Sequence, residues 1–113
     1  MAKLKLIADP TFKHVVQIPR AGAEPVGVEF TFKHRDREEM DKWVGTELPA
    51  RSESEDDPVK LDTLMVMDCA TGWELEDEFT EVNVRQMLVS YGGSALAIYR
   101  AYVEQLRVGK QKN

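Results

Sequence analysis

The sequence predicts an α+β fold: an N-terminal antiparallel β-hairpin packed on about four short helices, with a mainly helical C-terminal half. Two periodicities carry this. Val28, Phe30 and Phe32 alternate with Glu29, Thr31 and Lys33, the period of two that gives a strand one buried face. Val84, Met87, Leu88 and Tyr91 recur at i, i+3, i+4 and i+7, and Tyr99, Tyr102, Val103 and Leu106 repeat that spacing, the mark of helices with one apolar stripe. A third observation, an acidic stretch with few groups to bury, separates the two blocks.

Taken in order, Thr11 to Ile18 is rich in β-branched and aromatic residues and stops at Pro19, which predicts the first strand. Residues 20–26 contain Gly and Pro and fit a hairpin loop. The second strand follows over Val28–Arg35. A hairpin alone is marginal in water, so its apolar face needs the helices as cover. Asp36 and Glu39 have the spacing of a capping box for a helix over about 37–44, placing Met40, Trp43 and Val44 on one side, with Gly45 as its end. Residues 45–57 are predicted to be a flexible acidic linker. Asp57-Pro58 is a helix start and Gly72 the expected stop, so that Cys69 falls inside the helix. Thr80 caps the next helix, Gly92-Gly93 breaks it, and Ser94 caps the last, which runs to about Arg107 before Gly109 and a polar tail. The whole chain, 1–113, is read as one domain.

With 113 residues, 42% apolar and 31% charged, the composition is that of an ordinary globular domain. No apolar run of about 18 residues is present, so no membrane span is predicted, and the N-terminus lacks the apolar core of a signal peptide. The single cysteine fits a reducing compartment. The net charge of −5 conceals a pattern: residues 1–37 carry seven basic against four acidic groups, residues 38–81 three against fifteen, and residues 82–113 five against one. There is no dense basic stripe of the kind nucleic-acid binders show. The acid block is either a solvated loop, or a surface that meets a basic partner or keeps an apolar face in solution by self-repulsion.

No catalytic constellation emerges. His14 and His34 can face each other across the hairpin but lack the further donors of a zinc site, and surface histidines are the plainer reading. Cys69 has no neighbouring base and reads as a buried structural thiol. Glu74, Glu76, Asp77 and Glu78 lack the spacing of an EF-hand; acids ahead of the helix N-terminus at Thr80 are the simpler explanation. Gly92-Gly93 follows no strand and is a helix–helix turn, not a phosphate loop. No cofactor or metal is predicted. Trp73, Phe79, Tyr91, Tyr99 and Tyr102 are many rings for so short a C-terminal block. A helical face left partly apolar would mark a partner or self-association surface, and complete burial of all five would dispose of that idea.

Several short segments resemble the small tail assembly chaperones of long-tailed phages and prophages: Pro10-Thr11-Phe12-Lys13, Val28 to Arg35, Gly72-Trp73-Glu74-Leu75, Asp77-Glu78-Phe79-Thr80, and Tyr91 with Ala95 to Tyr102 and Leu106. The resemblance spans nearly the whole chain outside 45–57. It implies a binding protein, not an enzyme. Such chaperones hold the long, aggregation-prone tape measure protein in the host bacterial cytoplasm, are displaced as tail tube protein polymerises around it, and are absent from the finished virion. A longer frameshifted form is common in the family. The candidate partner-binding positions are Val84, Met87, Leu88, Tyr91, Tyr99, Tyr102 and Leu106, each of which also suits a core. A structural tail component retained in the particle and, further off, an acidic regulatory protein are the competing classes.

Overall fold

Gly22 turns the chain back on itself with a φ of 70°, a left-handed conformation that glycine adopts without steric cost. The computed structural model describes residues 4–108. Strand β1 (Thr11–Arg20) and strand β2 (Ala23–Lys33) meet at this turn, with Arg20 opposite Ala23. The predicted loop over 20–26 is therefore a tight turn at Ala21-Gly22, and both strands are longer than the sequence implied. Two prolines misled that expectation, and the hydrogen-bond pattern explains why they are tolerated. His34 N–H donates to Pro10 O, so as far as the Ile18–Val26 pair even-numbered residues of both strands bond across the hairpin while odd-numbered ones point away. Pro19 lies on the outer edge of β1, where the register also slips between Ile18 and Arg20. Pro25 lies on the opposite edge of β2. Neither removes a hairpin bond, which is where prolines in strands belong.

Asp36 caps helix α1 (Arg37–Lys42) through a complete capping box with Glu39. Gly45 does not end it. The chain widens into a π turn over Trp43–Glu47 and continues as α2 (Leu48–Ser54), so the expected linker is helical as far as Ser54. Pro49 gives the reason: a proline inside a helix lacks a donor and crowds the preceding turn, and a widened turn just before it makes room. Asp57 then caps α3 (Pro58–Cys69) as predicted, accepting from Val59 and Lys60 N–H.

At Ala70 the chain leaves the helix as a third strand, β3 (Ala70–Trp73), which pairs antiparallel with β2 and makes the sheet order β1-β2-β3. Gly72 is thus a strand residue, not a helix stop. Helix α4 (Glu81–Ser90) is capped by Thr80, and α5 (Ser94–Val103) runs on into a π segment over Glu104–Val108. The N-cap of α5 is Gly93, without a side-chain bond; Ser94 is buried and its hydroxyl donates to Tyr91 O. Residues 1–3 and the polar tail from Gly109 lie outside the described residues.

The helices cover one face of the sheet. Val16, Ile18, Val28, Phe30 and Phe32 project from it onto Met40, Trp43, Val66, Cys69, Val84, Ile98 and Tyr102. Tyr102 sits at the centre, 5.3 Å from the Phe32 ring and edge-on to Trp43 at 5.4 Å. These aromatic contacts add to the area they bury.

Candidate functional site

A polar brace holds the two halves of the fold in register. Arg35 Nη1 donates to Asp68 O at 2.9 Å and to Tyr102 Oη at 2.7 Å, and Tyr102 Oη donates to Lys33 O at 2.8 Å. The Asp68 carboxylate accepts from Trp43 Nε1 and, bidentate, from Arg51 at 2.7 and 3.3 Å. The Arg35 guanidinium lies 4.8 Å from the Trp43 ring centre. Burial pushes the Tyr102 phenol up to about 12, although Arg35 opposes the shift. Every polar group here is spoken for by another, so the brace is structural. Cys69 is fully buried, and burial raises its thiol far above the ordinary range, which leaves no thiolate to react. His14 stands opposite Phe30, and His34 pairs with Pro10 at the far end of the hairpin, so the two histidines do not face each other. Among the described residues, no three His, Cys, Asp or Glu side chains gather as metal ligands. No described helix is long and apolar enough to cross a membrane.

What the fold leaves open is a groove of about 410 Å³ at the turn end of the sheet. Its floor is the end of the hairpin's inner face, with Ile18, Val26 and Val28. One wall is α4, which presents Asn83, Gln86, Met87, Ser90 and Tyr91. The other is formed by Trp73, Leu75 and Asp77. Three of the apolar lining residues, Val26, Leu75 and Tyr91, are each 41% exposed, so the helices stop short of covering the apolar stripe that the sheet offers. Trp73 explains the loop's shape: its Nε1 donates to Asp77 O at 2.7 Å, and its ring meets Phe79 edge-on at 5.1 Å. Asn83 Nδ2 donates to Glu78 O, and Thr80 Oγ1 accepts from Asn83 N–H. The result is a trough with an apolar floor and mixed walls, in which Asp77 and Arg20 are the charged lining residues.

The seven sequence-selected positions do not form one surface. Val84, Leu88 and Tyr102 are core residues. Tyr99 is half-buried against Trp43, and half-buried Leu106 lines a separate hollow with Arg37, Met40, Asp41 and Arg107. Only Met87 and Tyr91 enter the groove. The sequence reading missed Ile18, Val26, Val28, Trp73 and Leu75 as groove residues. A signal existed for some of them. The alternation of Val28, Phe30 and Phe32 extends back to Val26, and Trp73 and Leu75 alternate with Glu74. Of the five rings, Tyr102 and Trp73 are buried, Phe79 and Tyr99 partly so, and Tyr91 stays exposed, so the idea of a partner surface survives its own criterion.

The chain is thus a small α+β protein with a packed core and an open, partly apolar groove. The sequence model of the phage tail assembly chaperones matches residues 1–113, and the chain belongs to that family. The family points to a non-enzymatic role in which phage tail proteins are the partners. No curated protein and no solved structure matches the chain.

Proposed function

We propose that this chaperone binds the tape measure protein in the cytoplasm of the infected host, keeps it soluble, and releases it as tail tube protein assembles around it. The observation that carries this reading is the groove on a chain of this family: a partly exposed trough with an apolar floor, flanked by Trp73, Leu75, Met87 and Tyr91. A tape measure protein is long and rich in helix, and before the tube forms its apolar faces have no cover. A trough this size accepts a few apolar side chains from one turn or strand of such a client, and Met87 supplies a side chain that adapts to irregular partners. The fifteen acidic groups of segment 38–81, of which Asp77 lines the groove, keep the loaded complex dispersed by repulsion.

Co-expression with the tape measure protein of the same phage tests the reading. Alone, the client is expected in the insoluble fraction; with the chaperone, it is expected to be soluble and to co-purify on an affinity tag. A client that stays insoluble and unbound in the presence of well-folded chaperone overturns the proposal and favours a structural role in the tail.

A further inference from the structure

Among the described α-helices, α2 alone buries no residue. Leu48, in its first turn, rests half-buried against the core. Beyond that, Arg51 ties it to α3, pairing with the Asp68 carboxylate at 2.7 Å through side chains 29% and 24% exposed. Both ends of α2 are built to give. On one side Gly45 lies within the widened turn Trp43–Glu47, and Pro49 has no N–H to bond back into it. On the other, Glu55 leaves the helix in an extended conformation, and the chain is neither helix nor strand until α3 begins at Pro58. The neighbours are fixed by comparison. α1 buries Met40, Trp43 is 1% exposed, and α3 buries Thr63, Met65, Val66 and Cys69.

Asp68 does not depend on Arg51 alone. With Arg51 released into water, Trp43 Nε1 still donates to the carboxylate at 3.0 Å and Arg35 still donates to the carbonyl. No buried charge is orphaned, which is what makes the breaking of many ion pairs costly. The other pair at this end, Lys60 with Glu55 at 3.8 Å, is more exposed and holds little. Charge acts in the same direction: residues 47–57 carry Glu47, Glu53, Glu55, Asp56 and Asp57 against Arg51. We infer that α2 is a strap that lifts from α3 as a unit, turning about the widened turn at Trp43–Glu47 with Arg51–Asp68 as its latch, while the sheet and the other helices stay closed. Sub-global openings of this kind are cooperative units within a folded domain. Lifting takes Leu48 off the core and frees the side of α3 where Leu61, Leu64 and Asp68 follow at helical spacing, all half-buried. The closed form withholds that apolar surface. The inference rests on how the chain packs and does not depend on which client the groove accepts.

Native-state hydrogen exchange on the full chain, read by mass spectrometry, tests the strap. In the wild type the amides of residues 50–55 are expected to exchange about tenfold or more faster than those inside α3, through an opening that leaves α1 and α3 protected. Arg51→Ala should speed the strap by a further factor of about ten, the worth of a charge-assisted hydrogen bond. Asp68→Asn, which keeps an acceptor for Trp43, should do the same. The double variant should open the strap no further than either single change, because both remove one latch. Arg51→Lys keeps the charge but not the two-pronged geometry and should fall between wild type and Arg51→Ala. Exchange of 50–55 in step with α3 in the wild type would overturn the inference, since the segment would then open only with the whole fold. So would single variants that leave the strap unchanged, that speed α1 and α3 as much as the strap, or whose effects add in the double variant.

Discussion

Asp68 and Tyr102 are the side chains on which the packing of distant segments converges. Asp68 Oδ2 receives both Trp43 Nε1 and Arg51 Nη1, and its backbone carbonyl receives Arg35. Asp68→Ala leaves two donors without their acceptor in a partly buried site, an expected loss of about 1–3 kcal/mol by urea denaturation. Tyr102→Phe keeps the ring packing but orphans Lys33 O and one Arg35 donor, with an expected cost of about 1–2 kcal/mol. Its pH signature is distinct. A tyrosine in the unfolded chain loses its proton near 10, whereas burial holds Tyr102 protonated to about 12. Between those values the unfolded chain binds fewer protons than the folded one, so stability present below about pH 10 falls as pH rises toward 12. Wild-type stability should therefore drop more steeply over that interval than that of Tyr102→Phe. An equal slope would show that the phenol ionises normally. Cys69, buried with a raised thiol, should resist thiol reagents in the native chain and react fully in urea.

At the level of elements, the helix running through Gly45 is the clearest departure from the sequence reading, and it is testable. An added Cβ at Gly45 meets nothing within 4 Å. Gly45→Ala should then stabilise by about 0.5–1 kcal/mol, the ordinary gain for replacing glycine within a helix. Destabilisation would mean that the segment is not helical in solution. Gly22→Ala, by contrast, meets a φ of 70° and should destabilise by about 1 kcal/mol. The caps at Asp36, Asp57 and Thr80 were legible because a side-chain acceptor at the right spacing is a local signal. The strand pattern of Val28, Phe30 and Phe32 was legible because its period survives any context. What was hidden depends on neighbours distant in sequence. β3, only four residues long, is a strand because β2 has an edge to offer. Pro19 and Pro25 are harmless because their missing donors face away from the hairpin partner. Leu48–Ser54 is held as a helix by Arg51 reaching Asp68 across to α3, an anchor that no local composition announces. The groove was half legible: Met87 and Tyr91 were among the chosen residues, while its sheet floor was taken for core.

Over the whole molecule, charge and apolar surface divide the work. Residues 38–81 hold most of the acidic charge, and the helices leave an apolar trough uncovered; both features suit the proposed holding of an insoluble client without co-precipitation. In that account, client affinity depends on the groove and not on exposed apolar residues in general. Val82 on the outer face of α4 is 77% exposed, more so than any apolar groove residue, and serves as the control. The most direct measurement is capture of co-expressed tape measure protein by tagged chaperone, comparing wild type, Val26→Glu/Tyr91→Glu and Val82→Glu at matched folded protein. The account predicts wild-type capture for Val82→Glu and a loss of about tenfold or more for the groove variant. Equal capture by all three would contradict it and place the client elsewhere on the molecule.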